Sequence, residues 1–274
     1  MQFDFTGKAV IMTGAARGIG RSMVKTFHDA GAMVLAADRD AEGLAETCEP
    51  FEDRVASIVG DVSTLEGANA IVDRCVEEFG RLDVCVNNAA VAPITALLEE
   101  TAEVWDTVYS VNCRGIFLMT QAAGRTMIDL GTENGRIINF SSGSAKSAGA
   151  GAGAYASSRA AVESFTRVAA IELAPHDILV NSVSPGLIDT QPKPLPPRME
   201  EGLGKRIPTL PLARAGEPEE VAWVTMFLAS EYSSYVCGAV WEVDGAAGIG
   251  TRAGHKIIDD DPRYDWVTGN ETEG

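Results

Sequence analysis

Thr13-Gly14-Ala15-Ala16-Arg17-Gly18-Ile19-Gly20 follows an apolar run, Ala9 to Met12, and opens a stretch with helical periodicity at Ile19, Met23 and Phe27. A buried strand that turns into a helix through glycines aims backbone N–H groups and the positive end of the helix dipole at one place, where an anion belongs. Gly14 permits the tight turn, Gly18 lets the backbone approach a pyrophosphate, and Gly20 lets helix and strand pack closely, although the spacing differs from G-x-G-x-x-G. Arg17 and Ile19 lie in the same turn and join the candidate nucleotide contacts.

Outward from this turn, short apolar runs alternate with amphipathic stretches: Met33 to Ala37, Val55 to Val59, Leu82 to Val86, Arg136 to Phe140, Ile178 to Asn181 and Val240 to Val243. Near-continuous apolar strands separated by helical crossovers imply a seven-stranded parallel sheet covered by helices on both faces. The fold expected is therefore α/β, a single doubly wound domain over residues 1–247. Two segments break the rhythm. Residues 187–214 hold six prolines among Met199, Leu203 and Leu210, an insertion of the length that is usually functional. Residues 248–274 form a C-terminal extension with Asp259-Asp260-Asp261 and two aromatics, Tyr264 and Trp266, which either frays or crosses to a neighbouring subunit.

Asp38 closes the second strand, where a carboxylate can accept hydrogen bonds from both ribose hydroxyls of an adenosine and would repel a 2′-phosphate. This favours NAD over NADP, with Arg17 and Arg39 as the counter-evidence. Asp61-Val62 ends the third strand and Asn87-Asn88-Ala89-Ala90 the fourth, both at the carboxyl edge where open α/β sheets bind ligands, so Asp61, Val62 and Asn88 are candidate adenine-side contacts.

A formal charge of -17 works against nucleic acid and anionic lipid, since both kinds of binding draw on fields of Lys and Arg. Met1 leads into a segment with no basic and apolar leader pattern, and no apolar run approaches the length of a membrane span, so a soluble cytoplasmic protein is expected. Cys48, Cys75, Cys85, Cys113 and Cys237 form no C-x-x-C pair and read as buried, reduced thiols. His28, His176 and His255 lack partners at ligand spacing, so no metal is expected.

Ser142 follows the fifth strand, Tyr155 opens a helix thirteen residues later, and Arg159 stands at i+4 on the same face. Taken with the glycine turn, Asn87-Asn88-Ala89, Asn112, Pro185-Gly186 and the later stretch Arg214 to Ala222, this order resembles the short-chain dehydrogenase/reductase family, over about residues 1 to 247.

The resemblance implies a Rossmann-type domain in which residues 187–214 form a lid. It implies a tyrosine that exchanges a proton with the substrate oxygen, a serine that hydrogen-bonds that oxygen, and an asparagine that holds a relay water: Tyr155, Ser142 and Asn112. Tyr155 and Arg159 would also meet the cofactor, with Pro185, Gly186, Ile188 and Thr190 near the nicotinamide. The family is commonly homotetrameric or homodimeric.

One position departs from the pattern, because the lysine four residues after the tyrosine is here Arg159. Arginine keeps the charge that favours a tyrosinate but releases no proton into a relay. Serine, tyrosine and arginine at this spacing also resemble the halohydrin dehalogenases, non-redox relatives that have lost the nucleotide pocket. The intact Gly14, Gly18, Gly20 and Asp38 favour a dehydrogenase acting with NAD on a secondary alcohol or ketone. A catalytically weak NAD-binding protein is the third alternative. Val91-Ala92-Pro93, residues 145–154 and the insertion are mostly small or apolar, which suits an uncharged, apolar or alicyclic small-molecule substrate.

Overall fold

The computed structural model describes residues 3–147, 149–190 and 194–250. Seven parallel strands form one sheet in the order β3-β2-β1-β4-β5-β6-β7. They are β1 (Ala9–Thr13), β2 (Met33–Asp38), β3 (Val55–Val59), β4 (Val84–Asn87), β5 (Gly135–Phe140), β6 (Ile178–Pro185) and β7 (Val240–Val243). The direction of winding reverses between β1 and β4, and a crevice opens above their carboxyl ends at such a switch point.

Eight α-helices lie among the described residues: α1 (Gly18–Asp29), α2 (Ala41–Cys48), α3 (Leu65–Phe79), α4 (Ala102–Tyr109), α5 (Ile116–Asp129), α6 (Gly153–Leu173), α7 (Pro197–Arg206) and α8 (Pro218–Ala229). Because side chains alternate along a strand, β1 sends Val10 and Met12 into one core, with Phe27 of α1 and Met226 of α8, and Ala9 and Ile11 into the other, with Ile71 of α3 and Met119 of α5. Burial on both faces is what makes the strands read as continuous apolar runs.

Two strand boundaries differ from the sequence expectation by more than one residue. β6 continues past Asn181 to Pro185, since the polar run Asn181-Ser182-Val183-Ser184 is buried and Asn181 is satisfied by loop backbone, donating to Val236 O and accepting from Ala239 N. β4 begins at Val84 rather than Leu82, because Asp83 turns its carboxylate onto Lys8, Arg81 and the N–H of Ala9, pinning the foot of β4 to the entrance of β1. Within the proline-rich insertion, α7 starts at Pro197, where proline's missing N–H costs a helix nothing. Ile188 forms a parallel bridge to Gly216 that closes the base of the insertion.

All five cysteines are free. Burial pushes the Cys75 thiol up to about 12 and raises Cys85 as well. Cys237, expected to be buried, is exposed at the surface turn before β7. No helix among the described residues is long and apolar enough to cross a membrane. The C-terminal extension lies outside the described residues from position 251 onward.

Candidate active site

The glycine turn is closed on itself. Gly14 has φ +69°, the left-handed region, and a Cβ there would meet the Ala89 backbone at 2.8 Å. At Gly20 a Cβ would stand 1.9 Å from the Gly14 carbonyl oxygen, so Gly20 closes the turn rather than only easing the packing of helix on strand. Gly18 lies beneath Thr190, whose Cβ would be 3.2 Å from an added methyl.

The carbonyls of the turn are satisfied from behind. Asn88 Nδ2 donates to the Thr13 and Gly14 carbonyls at 3.0 Å each, Thr47 Oγ1 donates to Ala15 O at 3.0 Å, and Arg21 Nη2 donates to Ala16 O at 2.6 Å. Thr13 Oγ1 accepts from the N–H groups of Asn88 and Ala89. Asn88, expected to face adenine, thus puts its amide nitrogen into the scaffold of the turn. Thr47 and Arg21 were invisible to sequence reasoning, since nothing local marks a threonine on α2 as a cap for a loop after β1.

Helices α2, α3 and α4 are each capped by a side chain, from Asp40, Thr64 and Thr101. Helix α1 has no side-chain cap at Arg17, so its first-turn N–H groups face the crevice unclaimed. They open on a cleft of about 1580 Å³ whose walls include Arg17, Ile19, Asp38, Asp61, Val62, Val91 and Thr190. A polar, glycine-backed cradle at an uncapped helix start fits a dinucleotide pyrophosphate.

Asp38 stands at the rim, one oxygen accepting from Ala16 N and the other from Asp40 N, both at 3.0 Å. Its orientation is thereby fixed by the same turn that faces the phosphates. Arg17 and Arg39 are exposed beside it. Burial works to raise the Asp61 carboxyl, but Ser63, Arg39 and Arg114 together hold it below the usual carboxylate range.

At the other end, Tyr155 is the third residue of α6 and half-buried. Arg159 is buried at 2% exposure, its guanidinium carbon 5.2 Å from the centre of the Tyr155 ring. Arg159 Nη1 donates to Phe140 O at 2.7 Å, while its Nε is buried without a partner. Ser142, half-buried, accepts from the N–H of Ser144, whereas Ser141 points the other way into the protein. Lys146 pairs with Glu242, which holds its ammonium above the usual range.

Asn112 sits in a π-helical turn, Ser110–Gly115, between α4 and α5. Such a bulge turns a buried side chain out of the helical register. Asn112 Oδ1 accepts from Val91 N, and its Nδ2 donates to Val91 O and to Ser158 Oγ, which in turn donates to Tyr155 O. One amide therefore ties the cleft wall at Val91 to the helical turn that carries Tyr155. Ser158 and Val91 were missed at the sequence level because neither side chain type nor spacing announces a backbone clamp. Pro185 ends β6, Gly186 donates to Val243 O, and Ile188 pairs with Gly216. These three, with Ser142 and Tyr155, are not part of the lining of the large cleft, which ends at residues 91–93 and 189–190.

A doubly wound parallel sheet with a glycine cradle at its switch point, and a serine, tyrosine and cation beyond it, defines a nucleotide-dependent α/β oxidoreductase scaffold. The chain belongs to the short-chain dehydrogenase/reductase family: residues 14–247 match a family model described as enoyl-acyl-carrier-protein reductase. It is 39% identical over 247 residues to the 3-oxoacyl-acyl-carrier-protein reductase FabG of Thermotoga maritima, covering 89% of this chain and 98% of the relative. It is 34% identical to the NAD-dependent glycerol dehydrogenase of Listeria innocua, covering 90% and 96%. A crystal structure of a short-chain dehydrogenase/reductase from Brucella melitensis superposes with a TM-score of 0.82 at 32% identity, covering 90% and 99%. The family is one of oxidoreductases that act on CH–OH groups of small molecules with nicotinamide cofactors.

Proposed function

We propose that the chain is an NAD(H)-dependent oxidoreductase that interconverts a secondary alcohol and a ketone. The observation that carries this reading is the pairing of an uncapped, glycine-backed helix start with Asp38, whose carboxylate is fixed at the cleft rim by Ala16 N and Asp40 N. A fixed anion there suits free ribose hydroxyls and opposes a 2′-phosphate. Arg17, Gly18, Ile19 and Gly20 would hold the pyrophosphate, and Asp61 and Val62 the adenine side. Pro185, Gly186, Ile188 and Thr190 would border the nicotinamide, which when bound supplies or accepts the hydride.

The chain's own residues then handle the substrate oxygen. Ser142 holds it, and Tyr155 takes the hydroxyl proton in oxidation or returns it in reduction. Arg159 places a fixed positive charge behind the ring and so favours the charge that Tyr155 gains. Asn112 keeps Val91 and the Tyr155 turn in register. The small apolar side chains of Val91, Ala92 and Pro93 favour an uncharged, alicyclic or otherwise apolar substrate. Five free thiols accord with the reducing cytoplasm. Exposed apolar side chains on α5 and α6 support a homodimer or homotetramer.

The test is a fluorescence titration of the protein with NADH and NADPH, followed by a panel of alicyclic alcohols and vicinal halohydrins. NADH is expected to bind at least about tenfold more tightly, a difference that one well-placed charge supplies. Halide release from a halohydrin without NADH binding would assign the Ser142, Tyr155 and Arg159 set to the dehalogenase chemistry instead. NADH binding without turnover of any alcohol would leave the third alternative, a binding protein.

A further inference from the structure

Behind Tyr155 and Arg159 lies a buried carboxylate that the proposed reaction does not use. Glu163 stands on α6 one turn after Arg159 and is 8% exposed. Its Oε1 is 2.9 Å from the Oγ of Ser141, which is itself buried at 3% exposure and lies 3.3 Å from the Arg159 carbonyl oxygen. A carboxylate on a buried helix face costs free energy that an apolar side chain would not, unless donors compensate it.

The place of this contact is specific. Phe140, Ser141 and Ser142 are successive residues at the end of β5, and each is tied down differently. Phe140 O accepts from Arg159 Nη1, Ser141 Oγ reaches Glu163 and the Arg159 carbonyl, and Ser142 Oγ accepts from Ser144 N. The last bond to the sheet is that of Ser141 N to Val183 O at 2.8 Å; Ser142 lies just beyond it, and small displacements of a reacting group are expensive in rate. We propose that Glu163 is a positioning residue: through Ser141 it fixes the strand end that carries Ser142 against the helix turn that carries Tyr155 and Arg159.

The kinetic part of this inference rests on the dehydrogenase reading, and its spectroscopic part does not. In the full chain, E163A and S141A are each expected to lower kcat on the order of tenfold, with KM for the alcohol and the Kd for NADH held within about twofold. Since both remove one clasp, the double variant S141A/E163A is expected to be no slower than either single one. E163Q keeps an oxygen that accepts from Ser141 and is expected to recover most of the loss. A merely structural role would lower stability in all of these without separating kcat from KM or sparing E163Q.

For a readout apart from turnover, 3-fluorotyrosine at position 155 gives a fluorine resonance sensitive to the ring's surroundings. It is expected to move in E163A and S141A and to stay in E163Q. An unchanged kcat in E163A, additive losses in the double variant, or an equal loss in E163Q would overturn the proposal. Should E163A not fold, S141A carries the same comparison. If no alcohol is turned over by the unmodified chain, the dehydrogenase reading fails, and the resonance alone decides: no movement in S141A or E163A overturns the clasp.

Discussion

Arg159 differs from a lysine in reach, shape and acid–base chemistry, and the structure uses all three. Its planar fork reaches past the Tyr155 ring to the carbonyl of Phe140, so the charge is held behind the phenol by a strand end rather than left free toward the cleft. A guanidinium stays protonated at any working pH and passes no proton on. Replacing it by lysine keeps the charge, gives up the bond to Phe140 and gains a head group that can donate toward a ribose and join a relay. R159K is therefore expected to raise kcat for alcohol oxidation near neutral pH by about three- to tenfold, with NADH binding little changed, in a steady-state assay. A fall instead would show that the bond to Phe140 has a task of its own. At this scale the sequence named candidates for the reacting groups and not their setting. Ser142 and Tyr155 stand out because polar side chains at a strand end and a helix start do little for a core, whereas Asn112, inside a π-helical turn, entered only through the resemblance to the family. The clamp of Asn112 on Val91, by contrast, is a bond to backbone, and any residue at position 91 other than proline would offer the same N–H and carbonyl.

Elements were legible where burial on two faces imposed an apolar run, and less so where polar residues are buried, with partners at Asn181 and Asp83 and, among the described residues, with none for the hydroxyls of Ser182 and Ser184. β3 and β7 keep the expected bounds, Val55–Val59 and Val240–Val243, while β6 extends through Ser182 and Ser184 because its polar groups are enclosed. The foot of β4 has the same cause. Asp83 has a side chain only 3% exposed, paired with Lys8 and Arg81 and hydrogen-bonded to Ala9 N. Burial works to raise its carboxyl, but Arg81, the Ala9 N–H and Lys8 outweigh it and hold it below the usual range. A folded-state value below the unfolded one contributes stability above about pH 4, which is lost as pH falls through the lower folded value. D83N should therefore cost about 1–2 kcal/mol at pH 7, the loss of charge-assisted hydrogen bonds, since the cations it leaves unpaired, Lys8 and Arg81, are 40% and 46% exposed and return to water. Urea unfolding of both proteins checks it. The gap between them is expected to hold from neutral pH to about pH 5 and to narrow below about pH 4; a gap that does not change with pH would mean that packing rather than charge sets the cost.

The whole molecule carries -17 charges, yet leaves apolar side chains exposed on the outer faces of α5 and α6, Phe117, Val168 and Ile171 among them, with Ile171 75% exposed. Val168 and Ile171 are three residues apart on α6 and share a face, and Phe117 of α5 meets Phe165 of α6 edge-on beside them. Two copies that bring this face together about a twofold axis would bury each side chain twice, which is how a closed symmetric interface gains area cheaply. The charge opposes such assembly, since like-charged copies repel over a Debye length of about 8 Å at physiological salt. The two effects predict opposite responses. Analytical ultracentrifugation at micromolar concentration should find a dimer or tetramer, and raising the salt from about 0.05 M to 0.5 M should strengthen it, because screening removes repulsion while apolar burial is spared. I171E places two new carboxylates across the axis, adds to the repulsion and is expected to shift the population to a smaller species. An assembly that weakens with salt would be held by ion pairs, and one untouched by I171E would use another face, most plainly that of α8 and β7, where Trp223 and Trp241 are also exposed. Because α6 bears Tyr155 near one end and Ile171 near the other, kcat measured across the same dilution series tells whether the assembly also steadies the helix on which the proton moves.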